Sequence, residues 1–310
     1  ILSQSAFLPD RLITDNVLVA FETMHCINQR RKGKEGLMAI KLDMSKAFDR
    51  VEWPCLERIM TRLGFHERWI SLMMMCIKSV SYSVLLNGES KGLIRPTRGI
   101  RQGDPISPYL FLLCGEGLSA LLKQAENRGS INGVSVCRRA PQISHLLFAD
   151  DSLVFCKANM TECSNIWKIL RDYEMASGQK MNRDKTSLFF SKNTPTETQD
   201  SIKELFGAQI IKQHEQYLGL QSLVGRGKKK AFNKIKDQVG KKIAGWKGKL
   251  LSSAGRETFI KAVAQATPTY SMSCFKLPDS LCKEHGAMIS RFWWEQKKEE
   301  RKIPWIAWDK

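Results

Sequence analysis

Apolar positions recur at helical spacing over residues 11–29, where Val17, Leu18, Phe21 and Met24 follow Asp15, a residue type that caps helices. A charged turn, "RRKGKEG" (30–36), separates this stretch from "LMAIKLD" (37–43), a mostly apolar run that predicts a strand ending in Asp43. Residues 54–63 predict a short helix opened by Pro54 and stopped by Gly64, and residues 66–79 predict another. "SYSVLLNGESKGLI" then reads as a hairpin turning at Asn87-Gly88.

The loop "RGIRQGDPISP" (98–108) follows, with Gly99, Gly103 and two prolines. Ser107-Pro108 is a helix start, Ser as cap and Pro at the first helical position. The helix runs to about Glu126 and carries Leu110, Phe111, Leu113, Leu118, Leu121 and Leu122. Residues 143–156 predict two short strands folded back at Asp150-Asp151. A helix over 162–176 ends at Gly178, and "TSLFFS" (186–191) predicts a further strand. Strands and helices mixed without strict alternation give an α+β class, a sheet with helices on one face.

Beyond Gly225 the pattern changes. Phe232, Ile235, Val239, Ile243, Trp246 and Leu250 form one sustained helical stripe. Between Arg226 and Lys261 stand twelve Lys or Arg against Asp237 and Glu257, so the face opposite the stripe is strongly basic. A second helix runs through Phe259, Ile260 and Val263 to Pro268. Residues 226–292 read as a separate basic helical module. The 310-residue chain as a whole carries a formal charge of +18, which favours a polyanionic partner, usually nucleic acid. Its 43% hydrophobic content is ample for a core.

Nine cysteines occur without a CxxC pair. Cys274, Cys282 and His285 come nearest to a metal pattern but lack a fourth ligand, so buried thiols in a reducing compartment are the reading. There is no N-terminal signal segment and no apolar run of the roughly 18 residues a bilayer needs. An intracellular protein without a membrane partner is expected.

The candidate chemistry lies in Asp43, Asp150 and Asp151. Carboxylates are seldom buried in an apolar run without a partner. If the three elements share one sheet, three acids meet at one rim, where cations would relieve their repulsion. Mg²⁺ takes carboxylate oxygens and shares its remaining sites with water and phosphate. Two such ions ~4 Å apart activate an attacking hydroxyl and stabilise a departing pyrophosphate. The plainer reading is a surface turn in which Asp is simply a good turn former. Phe48, five positions after Asp43, is either the wall of a sugar pocket or a core aromatic. The 98–108 loop is either a shaped backbone approaching a substrate, with Arg101 and Gln102 as polar groups, or an ordinary helix entry.

Together these segments resemble the reverse transcriptase domain of LINE-type (non-LTR) retrotransposons, in particular the plant type. "QSAFLPDRLITDN" resembles the fingers motif that opens the family core, and "KLDMSKAFDRVEW" the first palm motif. "RGIRQGDPISPYLF" resembles the Gln-Gly motif, "SHLLFADDSLVF" the Asp-Asp hairpin and "SGQKMNRDKTS" the motif after it. "YLGL" (217–220) resembles the primer grip and "GWKGKLLSSAGRETFIKAV" the start of the thumb. The motifs come in the family's order and cover almost the whole chain.

The resemblance implies a right-hand polymerase fold. Partial fingers would span 1–36, palm 37–66, fingers 67–100, palm 101–225, thumb 226–292, and a connection region would start at 293–310. It implies an RNA-directed DNA polymerase that extends a primed 3′-OH in target-primed retrotransposition. Its partners would be an RNA template, a DNA primer or target DNA, and dNTPs. Asp43 and Asp150 would bind two Mg²⁺ ions, for which Mn²⁺ can substitute, and Asp151 would be a weaker metal partner. Lys185 would protonate the leaving pyrophosphate. Backbone amides at Lys46 and Ala47 would hold the triphosphate, Phe48 would exclude a ribose 2′-OH, and Gln102 and Gly103 would line the nucleotide and template pocket. Tyr217, Leu218 and Gly219 would hold the primer end. Lys228, Lys229, Lys230, Lys234, Lys241 and Lys242 would track the duplex through its phosphates. Function would be nuclear. The chain begins without Met and is expected to be cut from a polyprotein with further fingers strands, an endonuclease upstream and a Cys/His-rich or RNase H segment downstream. The alternative is a relic that binds nucleic acid without catalysis.

Overall fold

A computed structural model describes residues 3–211, 216–221, 228–246 and 251–294. The expected connection region lies outside these residues from 295 onward. The chain divides into two units, Ile1–Gln213 and His214–Lys310. Residues 216–221, which include the expected primer grip, fall in the second unit.

The first unit opens with α1 (Ile13–Gln29). Asp15 stands in its first turn, not at its cap, and its Oδ2 accepts the Leu12 N–H at 3.3 Å. β1 (Leu37–Leu42) is buried at every position but Lys41. α2 (Trp53–Arg62) carries Pro54 in its first turn, where a missing N–H costs nothing. α3 (Glu67–Lys78) follows, then β2 (Tyr82–Leu86) and β3 (Glu89–Ile94). Asn87 and Gly88 turn that hairpin with φ of 52° and 86°, the paired positive φ that Asn-Gly favours. Both strands are exposed along their whole length.

α4 (Ser107–Asn127) includes Ser107 as its first residue, one position later than a cap. Ile106 is the cap residue and no side chain caps the helix; Asp104 Oδ1 accepts the Ile106 N–H at 2.9 Å and so shapes the turn before it. β4 (Val134–Ser135) and β5 (Gln142–Ile143) form a small pair, and β6 (His145–Phe148) and β7 (Asp151–Lys157) the expected hairpin. α5 (Met160–Ser177) is capped by Asn159, whose Oδ1 accepts the Glu162 N–H at 2.8 Å. It ends at Gly178, with φ of 75°. β8 (Ser187–Phe190), α6 (Thr196–Phe206) and β9 (Gln209–Ile210) complete the unit.

The sheet runs β6-β7-β1-β8-β9, with β8 and β9 parallel and the other pairs antiparallel. Opposed residues share a face. Met38 lies opposite Cys156, Ile40 opposite Val154 and Leu42 opposite Ser152. That face packs on Leu118 and Leu122 of α4, Ile166 and Leu170 of α5, and Ile202 and Phe206 of α6. Burying each such side chain contributes about 1.5–3 kcal/mol, so this layer anchors β1 and β7. The other face carries Ala39 opposite Phe155 and Lys41 opposite Leu153. The expected α+β class, with helices against a mainly antiparallel sheet, is the observed one.

In the second unit, β10 (Gln216–Tyr217) pairs with β11 (Leu220–Gln221). α7 (Lys228–Trp246) follows, then α8 (Ser253–Phe259), which continues as a wider, π-helical stretch (Ile260–Gln265). α9 (Thr269–Cys274) and α10 (Asp279–Trp294) close the unit. The apolar stripe of α7 docks as its spacing requires. Phe232 packs with Leu277 and Leu281, while Val239 and Ile243 pack with Phe259, Ile260, Ile289 and Phe292. The Trp246 side chain and Leu250 lie outside the described part. Among the described residues, no helix is long and apolar enough to cross a membrane.

Candidate active site

The β1–β7 ladder ends at the pair Leu42–Ser152. The next position on each chain is an acid: Asp43 after β1 and Asp151 at the start of β7. Both follow in phase with Lys41 and Leu153, on the face opposite α4, α5 and α6. In the β6–β7 hairpin Phe148 pairs with Asp151, so the two central turn residues are Ala149 and Asp150. The tip is thus Ala149-Asp150 and not Asp150-Asp151. Asp150 is exposed, whereas Asp43 and Asp151 are half-buried.

Burial raises the Asp151 carboxyl above the usual carboxylate range, and the charges of Asp150 and Asp43 raise it further. The Lys41 ammonium acts in the opposite direction. The three acids therefore lie within electrostatic reach of one another. Lys41 escaped the sequence reading, although a lysine inside the apolar run "LMAIKL" was a signal for it.

Among the described residues, no three His, Cys, Asp or Glu side chains already converge as a metal-binding group. That holds for Cys274, Cys282 and His285 as well as for the acids. The donor chemistry of the rim still fits a hard divalent cation. It offers carboxylate oxygens from adjacent strand ends, and Asp150 is exposed, so water and phosphate can share the ion.

The segment after Asp43 is braced by residues 177–185. The Asp43 carbonyl accepts the Asn182 N–H at 2.8 Å, and the Lys180 carbonyl accepts the Ser45 N–H at 2.8 Å. The buried Gln179 donates Nε2 to the Ala47 carbonyl at 2.7 Å. Gly178 allows this close approach: a Cβ there would stand 2.4 Å from the Arg50 carbonyl oxygen. Lys185 Nζ lies 3.8 Å from Asp43 Oδ2. Lys46, with φ of 49°, is exposed and Ala47 is buried. The half-buried Phe48 ring stacks on Phe111 at 4.9 Å and 11°. It is part of the core packing, as the plainer reading expected.

The Gln-Gly loop is fastened to the same turn. The Val51 carbonyl accepts the Gly99 N–H at 2.8 Å and the Phe48 carbonyl accepts the Ile100 N–H at 2.9 Å. Trp53 Nε1 donates to the Gly99 carbonyl at 2.8 Å. Gln102 and Gly103, just beyond these bonds, are exposed.

In the second unit, Leu218 and Gly219 form the β10–β11 turn with φ of 50° and 78°. A leucine in this region is uncommon and marks a held turn. Tyr270 Oη donates to the Leu218 carbonyl at 2.9 Å, and Tyr217 is buried. Lys234 Nζ donates to Gln216 Oε1 at 3.0 Å, and Lys242 Nζ to Thr267 Oγ1 at 3.2 Å. Lys241 is exposed. Lys228, Lys229 and Lys230 open α7, with side chains outside the described part.

Two further residues reach the hairpin and were not anticipated. Gln4 Oε1 accepts the Ala149 N–H at 3.2 Å, and Asn16 Nδ2 donates to the Leu147 carbonyl at 3.0 Å.

Acid-tipped strands β1 and β7, with a braced turn and a Gln-Gly loop beside them, are the arrangement of a template-directed polymerase palm. The match to the reverse transcriptase (RNA-dependent DNA polymerase) family model over residues 3–222 agrees, and the chain belongs to that family. Its relatives are plant and transposon proteins. An uncharacterized mitochondrial protein of Arabidopsis thaliana is 39% identical over 36% of this chain and 90% of its own length. An uncharacterized 149 kDa protein of transposon TX1 from Xenopus laevis is 23% identical over 94% of this chain. The Pol polyprotein of the type-1 retrotransposable element R2 from Popillia japonica is 27% identical over 67%. The chain spans 22% and 35% of the length of these last two. The LINE-type resemblance is borne out in this company. Telomerase from Candida albicans, solved with a fragment of telomeric RNA, covers 94% of this chain at 11% identity and a TM-score of 0.47. The family match, and not that likeness, carries the right-hand fold. Reverse transcriptases work with divalent metal ions on a nucleic-acid template.

Proposed function

We propose that this domain extends a primed 3′-OH with dNTPs on an RNA template, in the service of target-primed retrotransposition. The observation that carries the proposal is the meeting of Asp43, Asp150 and Asp151 on one rim of the sheet. Asp43 and Asp150 are the principal ligands of two Mg²⁺ ions and Asp151 the weaker one. When bound, such ions neutralise the acids, activate the 3′-OH and stabilise the leaving pyrophosphate.

The remaining tasks fall to this chain's own groups. Backbone N–H groups at Lys46 and Ala47 hold the triphosphate, and Phe48 walls the sugar against a 2′-OH. Gln102 and Gly103 line the base and template side. Lys185, already beside Asp43, delivers a proton to pyrophosphate. The Tyr217–Gly219 turn holds the primer end. Lys241 and its neighbours on α7 contact phosphates, which makes binding salt-dependent.

The test is Mg²⁺-dependent incorporation of dTTP on an RNA template with a DNA primer, comparing the wild type with Asp150→Ala. Product that the substitution abolishes supports the reading. Salt-sensitive nucleic-acid binding without product in any condition identifies an inactive relic instead.

A further inference from the structure

We propose that Gln4 is a positioning residue for the acid-tipped hairpin: its side-chain oxygen holds the Ala149-Asp150 turn in place. β6 is the edge strand of the sheet, so its outer side needs partners. Residues 3–5 supply them. Gln4 bridges Leu147 in parallel, the Ser3 carbonyl accepts the Leu147 N–H at 2.9 Å, and the Leu147 carbonyl accepts the Ser5 N–H at 3.2 Å. Asn16, on α1, adds its Nδ2 donation to the same carbonyl and donates to Ser5 Oγ at 3.2 Å.

Gln4 does more than line the edge. Its Oε1 accepts the N–H groups of Ser5 at 3.0 Å, Ala6 at 2.9 Å and Ala149 at 3.2 Å. The residue is 2% exposed, so no solvent replaces these bonds. Ala149 has φ of 52°, a backbone conformation that a non-glycine residue adopts only when its surroundings impose it. Gln4 Oε1 fixes the N–H of that strained residue, immediately before Asp150. A site that loses about 1 Å of placement loses up to about a hundredfold in rate, so the catalytic weight of the contact is large.

The catalytic consequence rests on the polymerase reading; the positional one does not. The experiment separates them. Gln4→Met keeps length and bulk but removes the acceptor, and Gln4→Glu restores an oxygen to three converging N–H groups that suit an anion. Hydrogen exchange resolved to the Ala149 amide is measured on the metal-free protein. Extension kinetics are measured beside it. Gln4→Met is expected to exchange at Ala149 at least about tenfold faster. It is also expected to lower kcat by about tenfold to a hundredfold, with KM for dTTP unchanged and a higher Mg²⁺ requirement. Gln4→Glu is expected to recover both.

A folded Gln4→Met with wild-type exchange overturns the proposal, as does a Gln4→Glu variant as impaired as Gln4→Met. Gln4→Asn, which keeps the amide but draws its oxygen back by one methylene, is the companion probe should Gln4→Met not fold. Faster exchange over 147–149 supports the proposal, and wild-type exchange there overturns it. Should the wild type incorporate no nucleotide, the polymerase reading fails while the exchange data still decide the role of Gln4.

Discussion

Lys185 Nζ stands 3.8 Å from Asp43 Oδ2, across the join between residues 177–185 and the end of β1. The lysine side chain is 70% exposed, so the pair itself adds little stability. The weight proposed for it is chemical. Lys185→Met is expected to lower kcat by about a hundredfold or more, within the range of a lost general acid. It is also expected to leave KM for dTTP near wild type. Steady-state kinetics check this. A wild-type kcat in Lys185→Met rejects the proton-donor role.

Asp151 opposes folding when ionised. Its carboxyl lies above the usual range because of burial and because of Asp150 and Asp43. The unfolded chain therefore releases this proton at lower pH, and stability falls as pH rises from the unfolded value near 3.9 through the folded one. Asp151→Asn is expected to raise the melting temperature of metal-free protein at pH 7. That gain should shrink as pH is lowered toward 4, while incorporation falls by about a hundredfold. Calorimetry at several pH values would falsify the sign if the variant melted lower at pH 7.

Phe48 stacks on Phe111 in the core and follows Asp43 by five positions. Phe48→Ala is expected to destabilise the protein by up to about 3 kcal/mol. If the ring also excludes a 2′-OH, the preference for dTTP over UTP drops at least about tenfold. Competition between the two nucleotides in single-turnover reactions decides it: lost stability with unchanged preference leaves Phe48 a packing residue only.

His145 is buried, with Ser119 Oγ 2.9 Å from Nε2 and Ser144 Oγ 3.0 Å from Nδ1. Desolvation, aided by Lys123, lowers it to about 4. Below pH 6.5 the unfolded chain takes up a proton that the folded protein refuses. The contribution is complete above pH 6.5 and lost between there and pH 4, about 3 kcal/mol in all. Urea midpoints at pH 7 and 4.5 should fall more for the wild type than for His145→Gln.

What the sequence showed and what it hid divide by distance along the chain. β1, the Asn87-Gly88 hairpin, the β6–β7 hairpin and the α7 stripe each carry their signal within about twenty residues, in period or in turn chemistry. β4, β5 and β9 are two residues long, too short to alternate. α6 buries only Ile202 and Phe206, so its stripe is faint. α4 starts one residue earlier than its Ser-Pro pair suggests, because the Asp104 turn leaves Ile106 at the cap and no side chain caps the helix. In the site, the acids announced themselves by charge in an apolar setting. Gln4 did not, because its partner Ala149 lies 145 positions away and a glutamine near a chain start carries no local signal.

The residues that hold the sheet together and the residues that carry its charge are separate sets. Met38, Ile40, Leu42, Val154 and Cys156 are packed against helices, while Asp43, Asp150 and Asp151 stand past the last rung of the ladder. Neutral replacements at the rim leave the packing intact, and at Asp151 they relieve it. In a lineage of drifting copies, chemistry is therefore the first property to be lost and shape the last. A copy that has lost its acids keeps the packed layers, and its second unit keeps the lysines of α7.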